Sequence, residues 1–304
     1  MITPLADVSG FLNIDKPKGI TSHDVVAKVR RLAKNSIGKT KVGHAGTLDP
    51  MATGVLVICV GQATRLSEYA MQSRKRYRAR VHLGVTTDTF DAEGEVIAEQ
   101  PPEAALSVTS EDIEAELQHF RGDIEQIPPM YSAIKQGGKK LYELARAGKT
   151  VERKARQITI YDIQMSDLAL PQFTLNITCS PGTYIRSIAH DLGEQLSLGG
   201  HLAALVRTQS GSFTLDDTIA LETLLNSDDW QQHLINPTDA LADWHTLHLS
   251  AEEVEEIRHG RRIPNKHDLN HAQVMALMPD GHLLAVLKNM GETWKPHKVF
   301  LPQS

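Results

Sequence analysis

The chain has little of what secreted, membrane or metal-binding proteins depend on. Only two of its 304 residues are cysteines, Cys59 and Cys179, and both lie in apolar runs, which leaves no basis for a disulfide framework. No run approaches the roughly 20 apolar residues that span a bilayer, and the N-terminus lacks the charged start and apolar stretch of a signal peptide. We therefore expect a cytoplasmic protein with reduced cysteines and no membrane association.

Motifs for metals and nucleotide cofactors are also missing. The 14 histidines show no HExxH spacing, so no metal site is predicted. Gly38-Lys39-Thr40 is similar to the end of a phosphate-binding loop, but Ala33 stands where that motif requires glycine. No GxGxxG follows a predicted strand. A hydrolase with two carboxylates remains open, because its second acid can come from anywhere in the chain.

The charges are unevenly arranged along a chain whose net charge is −5. Residues 15–41 and residues 133–156 each hold eight Lys or Arg against two acids, whereas residues 88–125 hold twelve acids and one Arg. Because the acidic remainder of the chain repels polyanions, the two basic stretches favour a surface that binds a polyanion in one orientation and neutralises its phosphates. Solvated helix faces and a mobile loop would give the same pattern, so charge alone does not decide between these interpretations.

Hydrophobic periodicity predicts a mixed α and β protein. Ser22 is in position to cap an amphipathic helix, Val55 to Val60 is typical of a buried strand, and Tyr77 opens an alternating strand with one apolar and one cationic face. A further strand ends near Cys179 and leads through a Pro-Gly turn into a helix that begins near Tyr184. From Ser250 onward, a capping box, a hairpin and a last strand over residues 298–302 predict a small β-rich C-terminal domain.

One acid stands out, Asp49 in the sequence GHAGTLDPMATGVL, residues 43–56. We call residues 43–52 the aspartate loop. Asp-Pro favours a turn, and a turn aspartate commonly bonds its own backbone, so a purely structural role is available. Carboxylates also serve as covalent nucleophiles when their neighbours keep them ionised. The small residues around Asp49 would let a flat substrate approach closely.

Six motifs in order give the chain a resemblance to a known family. They are residues 15–26 (DKPKGITSHDVV), 44–56 (HAGTLDPMATGVL), 61–65 (GQATR), 77–96 (YRARVHLGVTTDTFDAEGEV), 128–148 (PPMYSAIKQGGKKLYELARAG) and 182–193 (GTYIRSIAHDLG). Between about residue 10 and residue 215 the chain closely resembles the TruB family, the tRNA pseudouridine-55 synthases. Thr47 stands where related enzymes acting on ribosomal RNA typically carry an arginine, which points to the tRNA branch.

The resemblance implies an α+β fold, in which a pseudouridine synthase catalytic domain with a large, mainly antiparallel sheet flanked by helices occupies residues 1–247. A PUA-like, RNA-binding C-terminal domain would occupy residues 248–304. The implied reaction converts uridine 55 in the T-loop of tRNA to pseudouridine after the base is flipped out, without any cofactor. Asp49 would attack the substrate, at C6 of the uracil or at C1′ of the ribose.

The same resemblance implies roles for other residues. Arg186 would pair with Asp49, Tyr77 would stack on the flipped base, and Tyr184 and Leu205 would line the pocket, with His44 where the RNA loop is disrupted. A basic insertion, about residues 124–152, would close over the RNA. The RNA backbone would be contacted by four lysines: Lys16, Lys18, Lys139 and Lys140. After Leu205 the chain has Val206-Arg207 where the family more often has two arginines, which weakens any phosphate contact there.

The partner implied is tRNA, held at its T-arm and, through the C-terminal domain, at its acceptor end. A monomer without an obligate protein partner suffices for such a ligand. The alternative hypothesis is a non-catalytic tRNA chaperone that uses the same basic surfaces, with Asp49 only shaping a turn.

Overall fold

The computed structural model describes residues 8–132, 134–149, 151–266 and 270–301. Its strands form a ten-stranded central sheet, a five-stranded sheet and two short two-stranded pairs. The large sheet is mostly antiparallel, with parallel pairing only at Gly10–Lys16 with Ile219–Ala220 and at Thr53–Val60 with Gly200–Ser210 within the described residues. The predicted α+β class, with a large mainly antiparallel sheet and a smaller β-rich C-terminal part, is confirmed.

The strands of the central sheet follow one another in space in an order that differs from their order in the chain. From one edge to the other they are Ile219–Ala220, Gly10–Lys16, Thr53–Val60, Gly200–Ser210, Lys75–Leu83, Gln172–Cys179, Arg156–Ala169 and Gly122–Gln126. Val42–His44 pairs with the third of these strands and Phe213–Thr214 with the fourth. The two small pairs join Val85–Thr87 with Val96–Glu99 and Lys135–Gln136 with Lys139–Lys140.

The helices are short apart from the first. They are Ser22–Ile37, Ser67–Met71, Pro102–Leu106, Ser110–Leu117, Leu141–Arg146, Ile185–Gln195, Leu221–Leu225, Pro237–Ala240 and Ala251–Arg258, with 3-10 turns at Gly61–Leu66, Gln118–Phe120 and Trp230–His233. Among the residues that the structure describes, none of these helices has the length and apolar character needed to cross a membrane.

The strand Thr53–Val60 shows why the central sheet has two cores. Its side chains alternate between them: Leu56, Ile58 and Val60 pack with the helical layer, whereas Val55, Val57 and Cys59 pack on the opposite face. A strand covered on both faces is an uninterrupted apolar run rather than an alternating one. Cys59 and Cys179 are free and buried, and burial raises the pKa of these thiols to about 12 and about 11.

The opposite face of the central sheet packs against the five-stranded sheet. That sheet has the order Thr246–His248, Gln273–Leu277, Leu283–Asn289, Thr293–Val299 and Ile263–Pro264. Met275, Leu277 and Val286 share a core with Phe11 and Val57. The two sheets are therefore joined through a common apolar layer.

Local signals for the C-terminal part are mostly confirmed. The Ser250–Glu253 capping box begins the helix Ala251–Arg258, and the predicted hairpin is formed by Gln273–Leu277 and Leu283–Asn289. The last strand is Thr293–Val299, so the predicted strand over residues 298–302 begins too late. The apolar run VFL favours that prediction, whereas the strand is built largely from polar residues such as Lys295 and His297.

The cap of the first helix differs from the prediction by one residue. Thr21, not Ser22, is the N-cap, and it forms a capping box with Asp24. Thr21 and Ser22 both carry a hydroxyl group, so the sequence pattern of an N-cap does not distinguish between them. Ser22 lies buried, and its hydroxyl is used elsewhere.

Candidate active site

Asp49 and Arg186, which lie 137 residues apart in the chain, form an ion pair. Arg186 Nε lies 3.0 Å from Asp49 Oδ2, although the N–H does not point along the line that a hydrogen bond requires. Arg186 sits in the first turn of the helix Ile185–Gln195 and its side chain is 5% exposed. The Asp49 side chain is 37% exposed, so one partner is fixed in the protein while the other remains accessible.

The charge on Asp49 is set by opposing effects. Desolvation by the surrounding atoms raises the pKa of Asp49, and the Arg186 guanidinium opposes that shift. Asp91 raises the pKa further, and Lys16 and Arg207 lower it. The net effect is a raised pKa, and the ionised form of a partly desolvated carboxylate is more reactive toward an electrophilic carbon because water solvates it less.

Arg186 is held by three further acceptors. Its Nη1 donates to Asp91 Oδ2 at 3.0 Å and to the Thr89 carbonyl at 3.2 Å, and its Nη2 donates to the Tyr131 carbonyl at 2.8 Å. The Asp91 side chain is only 6% exposed. A guanidinium presents a rigid fork of donors, so these contacts fix both the position and the plane of the group that faces Asp49.

The aspartate loop is anchored by side chains from distant segments. Ser22 Oγ accepts a hydrogen bond from the Leu48 amide at 2.8 Å and donates one to the Leu48 carbonyl at 3.0 Å. Lys16 Nζ donates to the carbonyls of Pro50 at 3.2 Å and Ala52 at 2.8 Å, and also to that of Pro17. These contacts lie on both sides of Asp49 in the chain.

The prediction that Lys16 contacts the RNA backbone is therefore wrong. The side chain is 0% exposed, and its three N–H groups already donate to backbone carbonyls. Burial lowers the pKa of Lys16 to about 8, with the charge of Asp49 as the main opposing influence. The sequence shows a lysine in a basic stretch but does not show that the fold closes over it.

Arg207 supports the other end of the loop and is 1% exposed. Its Nε donates to the Val55 carbonyl at 2.7 Å, its Nη2 to that of Gly46 at 3.1 Å and its Nη1 to that of Thr47 at 3.3 Å. Gly46 has φ +119, a conformation that side-chain-bearing residues rarely adopt. Arg207 is thus held in the core beneath the loop and does not reach the protein surface.

Tyr77 and Leu205 lie on adjacent antiparallel strands beside the loop. In the register of these strands Tyr77 faces Arg207 and Leu205 faces Ala79. Tyr77 is half-buried and Leu205 is 6% exposed. Desolvation raises the pKa of the Tyr77 hydroxyl, and the charge of Asp49 raises it further, so the phenol and the carboxylate share one environment. The aromatic face of Tyr77 and the apolar side chain of Leu205 can accommodate a planar base.

Tyr184 is the N-cap residue of the helix that carries Arg186. Gln126 satisfies both of its backbone polar groups: Gln126 Oε1 accepts from the Tyr184 amide at 2.8 Å, and Gln126 Nε2 donates to the Tyr184 carbonyl at 2.9 Å. Desolvation raises the pKa of the half-buried Tyr184, and the charge of Asp49 acts in the same direction. Tyr184 therefore belongs with Asp49, Arg186 and Tyr77 to the candidate site.

His44 ends the strand that leads into the aspartate loop. It lies edge-on to His23, with ring centroids 5.2 Å apart, and its Nδ1 is buried without a hydrogen-bond partner among the described residues. Burial lowers the pKa of His44 to about 4, and the nearby charges of His23 and Arg207 add to that effect. His44 is thus a neutral ring at physiological pH.

The remaining predicted lysines are Lys18, Lys139 and Lys140. Lys18 and Lys139 are exposed. Lys140 belongs to the short strand Lys139–Lys140, and its side chain lies outside the part of the chain that the structure describes. Their proposed phosphate contacts stay predictions.

Sequence reasoning missed Asp91, Ser22 and Arg207 as site residues. Asp91 lies in the acidic stretch, where one carboxylate resembles the others, although its place in the quoted motif TTDTFDAEGEV was an available signal. The sequence pattern around Ser22 indicates a helix cap, and that around Arg207 indicates a weakened phosphate contact. All three act through contacts between residues far apart in the chain, which spacing rules do not detect.

Comparisons with known proteins relate the chain to one family. Three family models match consecutive parts of the chain: the N-terminal domain of TruB family pseudouridylate synthases over residues 34–185, the C-terminal domain of tRNA pseudouridylate synthase B over residues 186–243, and the C-terminal part of tRNA pseudouridine synthase II over residues 244–301. Together they cover residues 34–301.

Individual relatives are similar over most of their length. A tRNA pseudouridine synthase B of Ralstonia pickettii (strain 12J) is 47% identical over 267 residues, which cover 86% of this chain and 81% of the relative. One from Clostridium kluyveri (strain ATCC 8527 / DSM 555 / NBRC 12016 / NCIMB 10680 / K1) is 46% identical over 259 residues, with 85% and 86% covered.

A solved structure supports the fold independently. The crystal structure of a Cbf5-Nop10-Gar1 complex matches with a TM-score of 0.74 and 26% identity, over 96% of this chain and 85% of that one. The fold is that of a pseudouridine synthase. Within that class, the chain belongs to the TruB family.

Proposed function

We propose that the chain isomerises uridine 55 in the T-loop of tRNA to pseudouridine, with Asp49 as the catalytic carboxylate. The observation that carries this proposal is the accessible Asp49 carboxylate, 3.0 Å from a buried arginine whose two terminal nitrogens are hydrogen-bonded within the protein. Family membership and the names of the relatives, which are tRNA pseudouridine synthases, support tRNA as the substrate.

The reaction balances within the substrate. The bond between N1 of the uracil and C1′ of the ribose breaks, a bond between C5 and C1′ forms, C5 loses its proton and N1 gains one. No electrons leave and no group is transferred to another molecule, so this isomerisation calls for no cofactor. The role of Asp49 is to attack the substrate, at C6 or at C1′, and to leave again once the base has turned.

The target base must leave the stacked RNA before Asp49 can reach it. Flipping a nucleotide costs a few kcal/mol, and stacking on an aromatic side chain returns about 1–3 kcal/mol per base. We assign the stacking role to Tyr77, the apolar wall to Leu205 and the rim of the pocket to Tyr184. His44, as a neutral ring beside the loop, would occupy the space vacated by the flipped base.

The RNA backbone would be bound by exposed cations outside the pocket. Lys18, the basic face of the helix Ser22–Ile37 and the basic insertion with Lys139 and Lys140 are the proposed contacts with the T-arm. The C-terminal domain, residues 248–304, would meet the acceptor end, and a single copy of the chain in the cytoplasm would suffice. Phosphate neutralisation at these positions predicts binding that weakens as salt increases.

The test is pseudouridine formation on an unmodified tRNA transcript without additives. Wild type should convert position 55, and Asp49→Asn, which removes the charge at nearly constant volume, should lose conversion by at least about 1,000-fold. Asp162→Asn is the matched control, because Asp162 is an exposed acid on the strand Arg156–Ala169.

Conversion that persists in Asp49→Asn would remove the nucleophile from the proposal. Tight tRNA binding without conversion by wild type would favour a chaperone instead. A product that lacks its base would indicate a hydrolase.

A further inference from the structure

Phe90 adopts a backbone conformation that is rare for a bulky residue. Its φ is +64, in the left-handed region, although it carries a large side chain. Conformations of this kind persist only where surrounding contacts fix them, and they cluster at functional sites. The backbone of Phe90 is held on both sides: its amide donates to the Thr87 carbonyl at 3.2 Å, and its carbonyl accepts from the Leu202 amide at 3.0 Å.

The residues on either side of Phe90 are the ones that hold Arg186. The Thr89 carbonyl and Asp91 Oδ2 both accept from Arg186 Nη1. Because the chain turns at Phe90, the main-chain carbonyl of Thr89 and the side chain of Asp91 both reach Arg186 Nη1. Asp91 is oriented further, since its Oδ1 accepts from Thr89 Oγ1 at 2.7 Å and from the Glu93 amide at 3.0 Å.

The Phe90 ring lies flat on the ring of His190. The centroids are 3.7 Å apart and the planes differ by 7°, which is a close parallel stack. His190 follows Arg186 by four residues on the helix Ile185–Gln195, so the two side chains project from the same face one turn apart. Burial lowers the pKa of His190, so the ring that meets Phe90 is uncharged.

The helix and the loop over residues 88–91 are thus joined twice. The helix contributes Arg186 and His190, and the loop contributes the acceptors and the Phe90 ring. The loop is already held by two hydrogen bonds from Arg186 and by the bond from the Leu202 amide to the Phe90 carbonyl, and the ring stack one helical turn away adds an apolar contact that restrains the loop against the helix.

We propose that Phe90 and His190 are positioning residues, whose stack holds Thr89 and Asp91 on Arg186 and thereby keeps the guanidinium aimed at Asp49. Neither residue has to touch the RNA. The proposal rests on the proposed function for its kinetic consequences. Its geometric part, the effect of the stack on the charge of Asp49, can be measured without turnover.

Three variants separate the stack from the other features of these residues. His190→Ala removes the partner ring, and His190→Phe keeps a flat ring without the imidazole nitrogens. Phe90→Gly removes the other ring while allowing the positive φ without strain. If relief of backbone strain were all that mattered, the glycine variant would behave as wild type.

The charges facing Asp49 fix the expected direction of its pKa. Desolvation is the largest influence on the pKa of Asp49 and raises it, Arg186 is the largest influence that lowers it, Asp91 raises it, and Lys16 and Arg207 lower it. A guanidinium that is no longer aimed at Asp49 leaves the carboxylate among the same surrounding atoms with a weaker opposing charge, so the pKa rises. In His190→Ala and Phe90→Gly we expect kcat to fall roughly tenfold with KM within about twofold, and the acid limb of kcat/KM to move to higher pH.

The matched variant and a direct measurement complete the test. His190→Phe should keep kcat within about threefold of wild type and leave the acid limb in place. An NMR titration of the Asp49 carboxyl carbon in the same proteins should show the same order of pKa values without any RNA present.

The proposal would be overturned if His190→Ala and Phe90→Gly kept the kcat of wild type and the same acid limb of kcat/KM, even if both variants unfold at lower temperature. So would a His190→Phe variant as impaired as His190→Ala. A wild-type chain that makes no pseudouridine would refute the proposed function alone, and the NMR titration would still decide whether the stack sets the pKa of Asp49.

Discussion

The aspartate loop and the basic insertion both depend on lysine and arginine, but the side chains differ in what surrounds them. At the loop, Lys16, Arg186 and Arg207 are buried and donate to carbonyls or carboxylates of the protein itself. In the insertion, Lys139 is exposed on a strand of two residues. The same kind of cation therefore fixes geometry in one region and remains free for a polyanion in the other.

This comparison shows that the role of a charged residue cannot be inferred from the sequence until its burial is known. Taking a cation out of water is costly unless its donors are matched by acceptors, so a buried lysine or arginine marks a place where the backbone must be held. An exposed cation costs little and can be exchanged for another with small effect. Substitutions in the two regions should consequently differ in size and in what they alter.

The largest effect is expected from Arg186→Lys. An ammonium keeps the charge but cannot reach Asp49, Asp91 and the carbonyls of Thr89 and Tyr131 with the geometry of a planar fork. We expect kcat to fall by about 100-fold or more, with tRNA affinity within about threefold of wild type. Single-turnover pseudouridine formation and filter binding measure the two quantities, and a loss shared equally between them would contradict the assignment.

Arg207→Met should have a smaller effect on the rate and a large one on stability. The change leaves the carbonyls of Gly46, Thr47 and Val55 without this donor, at a cost of about 3 kcal/mol, which lowers Tm by roughly 6–10 °C. Loss of a positive charge that lowers the pKa of Asp49 should also move the acid limb of kcat/KM to higher pH.

The sign of that shift follows from the role of Asp49. The ionised carboxylate is the reactive form, so activity is lost as pH falls through its pKa, and a higher pKa places the loss at higher pH. Arg207→Lys is the matched control, because it keeps the charge and should leave the acid limb near that of wild type. An unchanged acid limb in Arg207→Met would show that Arg207 acts on structure alone.

How far the sequence predicted these features depended on the range of the contacts. Local patterns predicted a strand over Val55 to Val60, a helix after Tyr184 and the C-terminal hairpin, and all three are confirmed because their signals lie within a few residues. The ordered motifs predicted the pair Asp49–Arg186, which no spacing rule would have joined. Lys16 was misplaced since its acceptors at Pro50 and Ala52 are more than 30 residues away.

The contacts of Asp91 and the Phe90–His190 stack are further examples of contacts between distant segments that the sequence did not predict. Arg186 and Asp91 are 95 residues apart, and a positive φ at a phenylalanine has no signature in composition or periodicity. Features that arise only when distant segments meet have to be read from the folded chain.

The smallest effect is expected in the insertion. Replacing Lys139 and Lys140 together by alanine should leave Tm and single-turnover kcat unchanged and weaken tRNA binding a few-fold. The slope of log Kd against log salt should fall by roughly one for each phosphate that the variant no longer neutralises. Arg121→Ala is the control, because Arg121 is an exposed cation set in the acidic stretch. An unaltered slope in the lysine variant would place the insertion away from the RNA.

Tyr131, at the base of the insertion, connects the two regions. Its carbonyl accepts from Arg186 Nη2 and its hydroxyl donates to Asp88 Oδ2 at 3.1 Å. Any displacement of this base would withdraw an acceptor from the cation that stabilises the carboxylate at position 49. Movement of this part of the insertion and the position of the guanidinium are therefore coupled through one main-chain carbonyl.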